Sequence, residues 1–271
     1  MESKKIKSLI IAVLLMLNIF LTGIVITDKT AAVAAVRAMK NDLFEIMSQN
    51  GVRLSADADI ESPSLPKYIM FRDLAEEKQT AEKVIGKSSA ADLGGNVLYY
   101  SSDTGKATFR GTGEFDVSFE PGKFPIEDNA EQTAKNVLGK MGLTALDMLT
   151  ESSREITTVT VFYAFNRIPV CNAGIVFTFS ESSLIFISGQ RPPGKPRIAE
   201  EPAFGAVTIL MRFIDLINTE GYVCSEISSL TTCFTINDTA PGGVVLVPIW
   251  KIETDSGDYY INGLTGGPEA I

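Results

Sequence analysis

The feature that most constrains this chain is an uncharged apolar run at residues 8–27. An α-helix rises about 1.5 Å per residue, so a twenty-residue helix spans about 30 Å, the thickness of the hydrocarbon core of a bilayer. Three lysines precede the run, whereas Asp28 and Lys29 cancel behind it. Because basic residues flanking a span favour the cytoplasmic side, we predict a single-pass cell-membrane protein with a cytoplasmic N-terminus and an extracellular C-terminal domain.

A cleaved signal peptide is the alternative interpretation of this run. Such peptides have an apolar region of roughly 7–15 residues followed by a small-residue cleavage site. Residues 32–34, Ala-Val-Ala, resemble such a site. The apolar run is longer than a signal region, however, and the alanine-rich segment behind it fits a continuing helix. We therefore favour a retained anchor.

Charge and composition exclude several classes of function. The formal net charge is −9 over 271 residues, and three of the 24 basic residues lie on the predicted cytoplasmic flank. The outer part is therefore strongly acidic, which argues against a nucleic-acid partner. The sequence contains no histidine, so Ser-His-Asp and Cys-His catalytic sites and His-ligated zinc are excluded. We identify no catalytic, cofactor-binding or metal-binding residues, and we predict a protein that is not an enzyme and needs no cofactor.

The three cysteines, Cys171, Cys224 and Cys233, are too few for a disulfide scaffold. Their odd number leaves at least one of them unpaired within the chain. Two interpretations stay open for the others. A Cys224–Cys233 bridge across a hairpin is geometrically feasible, and the alternative, which we favour, is that the cysteines are small buried residues.

Periodic apolar residues predict helices that end at glycines and are followed by antiparallel strands. The predicted helices cover residues 28–50, 73–86, 126–141 and 202–220, and the main strand-forming regions are 97–119, 156–190 and 222–262. This order predicts an α+β fold, in which the N-terminal transmembrane helix is followed by repeated modules of a helix packed on a curved antiparallel β-sheet.

The sequence contains no phosphate-cradle motif, and Asp103-Thr104-Gly105 is interpreted as a hairpin turn rather than half of an aspartic protease dyad. Trp250 lies among alternating apolar residues, so we expect it in the core.

The predicted domain boundaries follow this order of elements. They are a cytoplasmic tail at 1–7, a transmembrane helix at 8–27, a juxtamembrane helix at 28–50, a first α+β module at 51–124, a second module with a proline-rich linker at 125–198, and a C-terminal module at 199–271.

Two stretches carry a resemblance to a known family. They are FYAFNRIPVCNAGIVFTFSESSLIFISG at residues 162–189 and LVPIWKIETDSGDYYINGLTG at residues 246–266. Both resemble the YycH/YycI family. The first is similar to the family's N-x-I-P-V bend and strand pair, and the second to a closing segment shared in outline with PepSY-type modules, so the resemblance implies a PepSY-like C-terminal module at 199–271. The resemblance implies a Gram-positive membrane protein that modulates a sensor histidine kinase of a two-component system controlling cell-wall metabolism.

The resemblance also implies partner contact through the membrane span. Asn18 lies in the middle of the span, where an inter-helix hydrogen bond would satisfy its side chain. Snorkelling or local water is the alternative explanation of this residue. We predict a partner-binding stripe of Leu14, Asn18, Leu21 and Val25.

The predicted partners are the kinase and the membrane, and a paralogous regulatory protein is a further candidate. The alternative function is a PepSY-like inhibitor or chaperone-like module for a secreted protease, a cell-wall hydrolase or a germination enzyme.

Overall fold

The computed structural model describes most of the chain beyond the predicted span. The described ranges are 43–59, 64–180, 182–199, 203–239 and 243–271. The predicted transmembrane helix and its stripe of Leu14, Asn18, Leu21 and Val25 fall outside these ranges. Among the residues that are described, no helix is both long enough and apolar enough to cross a membrane. The chain divides into two compact units, Met1–Leu54 and Ser55–Ile271.

In the first unit, the described residues form the end of the predicted juxtamembrane segment. Helix α1 covers residues 43–49. Leu43 and Met47 are buried, as their four-residue spacing predicts. Gly51 follows the helix with φ +74°, a left-handed conformation that favours glycine at a helix C-terminus. The next strand, β1 (Arg53–Asp59), crosses the division between the units.

The second unit contains three helices and most of the strands. The helices are α2 (Leu74–Ile85), α3 (Ala130–Lys140) and α4 (Ala206–Glu220). The strands are β2 (Tyr68–Phe71), β3 (Ser89–Gly94), β4 (Val97–Ser101), β5 (Gly105–Arg110), β6 (Glu114–Phe119), β7 (Thr144–Ser153), β8 (Ile156–Phe165), β9 (Ile168–Ser180), β10 (Ser183–Gln190), β11 (Pro196–Ile198), β12 (Glu226–Thr239), β13 (Gly243–Thr254) and β14 (Gly257–Asn262).

These strands form one large mixed sheet with the order β11-β2-β13-β12-β9-β10-β6-β5-β4-β3. Off this path, β14 pairs with β13, β8 pairs with β9, and β7 pairs with β8. The pairings among β2 to β14 are antiparallel except for the β9–β12 contact, which is parallel. Helices α2 and α3 contact β4, β5, β7 and β8, so they cover one face of this part of the sheet.

The predicted fold class was wrong. We expected separate modules, each with a helix packed on its own sheet, but the strand groups join into a continuous sheet. Strand β10 pairs with β6 over five residues, from Phe186↔Ser118 to Gln190↔Glu114. The backbone N–H and C=O groups at the edge of β6 are thus hydrogen-bonded to β10, which belongs to the next set of strands. Apolar periodicity shows which segments are strands, but it does not show which strands become neighbours.

Several local predictions are confirmed. The helix predicted at 73–86 is present as α2, and Asp73 caps it by accepting hydrogen bonds from the backbone N–H groups of Ala75 and Glu76, at 3.0 and 3.1 Å. The Asp103 motif lies in the tight turn between β4 and β5. Trp250 is fully buried, and its indole N–H donates to the carbonyl oxygen of Phe204 at 3.1 Å. The indole therefore has its one donor satisfied inside the core.

A buried ion pair anchors α2 to the first strands. The guanidinium of Arg72 donates to both carboxylate oxygens of Glu77, at 2.6 and 2.8 Å, and Glu77 is only 5% exposed. The Tyr100 hydroxyl donates to Glu77 at 3.0 Å. Burial and the adjacent carboxylate raise the pKa of Tyr100, which therefore remains a donor. Arg72 also donates to the carbonyl oxygens of Asn96 and Phe109, so its charge is well satisfied.

Three successive residues of β9 fasten it to β12. Val170 is the parallel partner of Phe234, and Cys171 forms a disulfide with Cys233. The Asn172 side chain then imitates a strand partner. Its amide donates to the Ile236 carbonyl at 3.0 Å, and its oxygen accepts from the Ile236 N–H at 2.8 Å. The short backbone pairing is therefore reinforced by a covalent bond and by a side-chain clamp.

The disulfide corrects the interpretation of the cysteines. Cys233 bonds to Cys171, 62 residues away, rather than to Cys224. Cys224 is a free thiol. Burial, together with the negative charge of Asp255, raises the pKa of the Cys224 thiol to about 11. At neutral pH it is therefore protonated and weakly nucleophilic.

Candidate partner-binding surface

Strands β7 to β10 present one face to solvent, which we call the open face. Ile156, Thr158, Thr160 and Phe162 alternate along β8 with the buried Val159, Val161 and Tyr163. Strand register then identifies the neighbours that share the outward side. The outward side chains of the other strands are Asp147, Leu149, Glu151 and Ser153 on β7, Val176, Thr178 and Ser180 on β9, and Phe186 and Ser188 on β10, with Gly174 opposite Phe162.

The open face exposes large apolar side chains among polar ones. A half-buried antiparallel sheet ordinarily directs polar residues outward, and serine, threonine and acidic residues do so here. Several large apolar side chains are exposed beside them. They are Leu149 (53% exposed), Ile156 (39%), Phe162 (38%) and Phe186 (37%), together with Leu146 (50%), the extra residue of a bulge in β7. Such a cluster on a surface is typical of a protein–protein contact site.

Gly174 is the cross-strand neighbour on which the Phe162 ring of the open face rests. It pairs directly with Phe162 across the strands. A Cβ added at Gly174 would lie 3.7 Å from the Phe162 ring, at ordinary contact distance. The ring therefore lies beside the glycine, where it covers backbone that has no side chain of its own.

The charged residues of the open face are all acidic. In the whole of β7, β8, β9 and β10, the charged residues are Asp147 and Glu151, and no lysine or arginine is present. Both acids lie on β7, at alternate positions either side of Leu149. The apolar cluster is thus bordered by negative charge along one edge.

The neighbouring part of the same sheet is ordinary by comparison. On β5 and β6 the outward residues include Lys106, Arg110, Glu114 and Asp116. Arg110 and Asp116 form an ion pair at 2.7 Å. Charged residues of both signs make this half a normal solvated surface, so the apolar half is a local specialisation.

A cleft of about 720 Å³ adjoins the open face where β7, β8 and β9 approach β12, β13 and β14. Its walls include Leu146, Asp147 and Phe162 on one side and Lys251 and Glu253 on the other, with the Cys171–Cys233 disulfide between them. The disulfide therefore holds the two sides of the cleft together.

The far wall of the cleft carries a compact charge cluster. Lys251 donates to Glu253 at 2.5 Å and lies 3.0 Å from the carboxylate of Asp258. Partial burial lowers the pKa of Lys251, but the hydrogen bonds to both carboxylates outweigh burial and raise it. Hydrogen bonds from Lys251 and Ser229 hold the pKa of Glu253 below its usual value. One lysine thus faces two carboxylates, so the cluster has one more acidic group than basic groups.

The surface was not found from the sequence. The predicted stripe on the span lies outside the described residues, whereas β7 fell in a stretch, 143–155, to which no element was assigned. Its sequence TALDMLTESS alternates poorly because apolar Leu149 points outward and Thr150 inward. One feature of the sequence could have indicated this strand. Residues 144–153 contain apolar and acidic residues but no lysine, and they directly precede a strongly β-forming segment.

Within the described ranges, no group of three or more histidine, cysteine or acidic residues is placed to hold a metal ion. Exposed apolar side chains on a sheet face beside a cleft are features typical of surfaces that bind another polypeptide.

No protein-family model matches the sequence, and no curated protein matches it. Among solved structures, the chain is similar to an uncharacterized protein from Eubacterium rectale, with a TM-score of 0.45 and 11% identity over 81% of this chain and 90% of that one. It is also similar to the Bacillus megaterium YpeB C-terminal domain, with a TM-score of 0.36 and 14% identity over 74% of this chain and 97% of that one. Both TM-scores are below 0.5, so neither similarity carries a functional argument.

Proposed function

We propose that this protein is a membrane-anchored regulatory protein that binds a partner through the open face of β7 to β10. The observation that carries the proposal is the exposed apolar cluster of Leu146, Leu149, Ile156, Phe162 and Phe186. Apolar side chains exposed together in this way gain free energy when a partner removes them from water.

The family resemblance supplies the proposed partner, which is the extracytoplasmic part of a sensor histidine kinase. Binding would change kinase activity only if the protein binds one state of the kinase more tightly than the other. The extracellular location of the second unit is supported by the uncharged run 8–27 and by the Cys171–Cys233 disulfide, since disulfides persist mainly in oxidising compartments.

The stripe of Leu14, Asn18, Leu21 and Val25 is proposed as a second contact, made between the spans of the two proteins. Its support is the polar side chain of Asn18 within an otherwise apolar run. The Asn18→Leu variant should then co-purify less kinase than the wild-type chain. Equal recovery of kinase would remove this part of the proposal.

Replacing Phe162 by Asp should abolish regulation of the kinase. The substitution places a charge at the end of the apolar cluster that adjoins the cleft, beside Leu146, where desolvating it on binding is costly. Because Phe162 is 38% exposed and its ring packs beside Gly174, the replacement should cost some stability, so the folded state of the variant is measured separately. We expect kinase output, measured with a reporter gene in cells, to match that of a strain lacking the protein.

Ile198→Asp is the matched control, because Ile198 is 67% exposed and lies on β11, away from the open face. It should leave kinase output at the wild-type level. Cellular abundance and the denaturation midpoint of both variants establish that they are folded. A folded Phe162→Asp protein with wild-type kinase output would contradict the proposal.

A further inference from the structure

The outer edge of β7 is available for strand pairing. In the part of the chain that the structure describes, β7 pairs with β8 alone. A strand at the edge of a sheet presents unpaired N–H and C=O groups along its outer side. Strand β7 is ten residues long, and eight of the ten are exposed. It therefore offers a long backbone template next to the apolar cluster.

Three other edge strands of the sheet, β3, β11 and β14, are less suited to such pairing. Strand β11 has three residues and begins with Pro196. The edge of β14 is covered by the C-terminal tail, where Ile261 bridges Pro268 and the Glu269 N–H donates to the Tyr260 carbonyl at 2.9 Å. A bulge interrupts the six-residue β3. Strand β7 lacks proline and lysine, and its register with β8 is regular from Asp147 to Ser153.

The side chains along the outward side of β7 specify the chemistry of an added strand. Asp147, Leu149 and Glu151 occupy alternate positions and therefore share one face. Side chains directly opposite across two strands interact, and opposite charges and apolar pairs are favoured while like charges are not. A complementary strand carries a basic, an apolar and a basic residue at alternate positions.

We propose that the partner supplies an extended segment with the pattern basic–x–apolar–x–basic, which pairs with the free edge of β7. The inference rests on the proposed function and identifies the element that the open face recognises. A second copy of this chain is a poor occupant. Antiparallel pairing of two β7 strands about Leu149 would place Asp147 of one copy beside Glu151 of the other, and like charges in that position repel.

The test uses full-length protein purified in detergent and fluorescent nine-residue peptides, with binding followed by anisotropy. The basic peptide is STKTVTKTS, and its isomer STTKVKTTS has the same composition but places both lysines on the face opposite valine. A third peptide, STETVTETS, reverses the charges. A fourth is the basic peptide with N-methyl groups on alternate residues, which removes backbone donors.

We expect the basic peptide to bind about tenfold more tightly than its isomer, since two favourable cross-strand charge pairs are lost in the isomer. The Glu151→Lys variant should weaken the basic peptide by about tenfold and strengthen the charge-reversed one. Glu114→Lys, the same charge change on exposed Glu114 of β6, is the control and should alter neither. Hydrogen exchange should show new protection at 148–153 when the basic peptide is bound.

Absence of binding, equal affinity for the two isomers, or undiminished affinity of the N-methylated peptide would each overturn the strand-pairing proposal. So would equal effects of Glu151→Lys and Glu114→Lys. These results would leave the proposed function standing if Phe162→Asp still abolished kinase regulation. A wild-type response of folded Phe162→Asp would remove the proposed function itself.

Discussion

Removing the Cys171–Cys233 disulfide should lower the free energy of unfolding by about 4 kcal/mol, because the bond closes a loop of 62 residues in the unfolded chain. The bond also reinforces the β9–β12 contact, where the two strands share the single register pair Val170–Phe234. The measurement is denaturant unfolding of the Cys171→Ala/Cys233→Ala double variant. For a unit of this size we expect the melting temperature to fall by roughly 10 °C.

The matched control is Cys224→Ala, which removes a free thiol and no cross-link. It should change stability much less than the double variant does. A reductant added to the wild-type protein should reproduce the loss seen in the double variant and should have no further effect on that variant. An unchanged unfolding midpoint in the double variant would show that the bond does not stabilise the junction between β9 and β12.

Replacing Glu77 by Gln should cost about 3 kcal/mol of stability, because it leaves the Arg72 charge buried without its counter-ion. The side chains of Arg72 and Glu77 are 8% and 6% exposed, so water compensates little. The cost lies at the lower end of the range for broken buried pairs, since glutamine keeps one acceptor oxygen and Arg72 keeps its bonds to Asn96 and Phe109. Chemical denaturation gives the difference directly.

Two further variants compare the buried Arg72–Glu77 pair with weaker interactions of the same helix. Tyr100→Phe removes one hydrogen bond to Glu77 and should cost about 1–2 kcal/mol. Glu82→Gln breaks an exposed ion pair with Lys78 on the same helix and should cost under about 0.5 kcal/mol. If Glu77→Gln proved no more destabilising than Glu82→Gln, the Arg72–Glu77 pair would not anchor α2.

Local structure was readable from the sequence where one segment determines it. Asp73 marks the start of α2, and the helices predicted at 126–141 and 202–220 are present as α3 and α4. Helix α4 begins at Ala206, four residues later than predicted, with Gly205 at its N-cap. Helix caps and apolar periodicity depend on residues that are close in the sequence, so they can be predicted without knowing the fold.

Long-range pairing was not readable. The disulfide joins Cys171 to Cys233 because β9 and β12 meet in parallel, and nothing in the sequence indicates that crossing. The merging of β6 with β10 overturned the expectation of separate modules for the same reason. Register and strand order depend on which edges meet after collapse, which local patterns do not encode.

The strand β7 was not predicted from the sequence, and the reason is informative. Strand prediction relies on polar residues at outward positions, but Leu149 of β7 points outward and is apolar. The exposed apolar residue that obscured the strand in the sequence is therefore also one of those on which the proposed binding surface rests. Local rules are expected to fail at functional sites, where the sequence serves a partner as well as the fold.

Photo-crosslinking in living cells from residue 162, with residue 198 as the control position, would show whether the open face contacts the kinase. We expect a crosslinked product from position 162 that contains the extracytoplasmic part of a sensor histidine kinase, identified by mass spectrometry, and no such product from position 198. A kinase product from both positions, or from neither, would contradict partner binding through the open face.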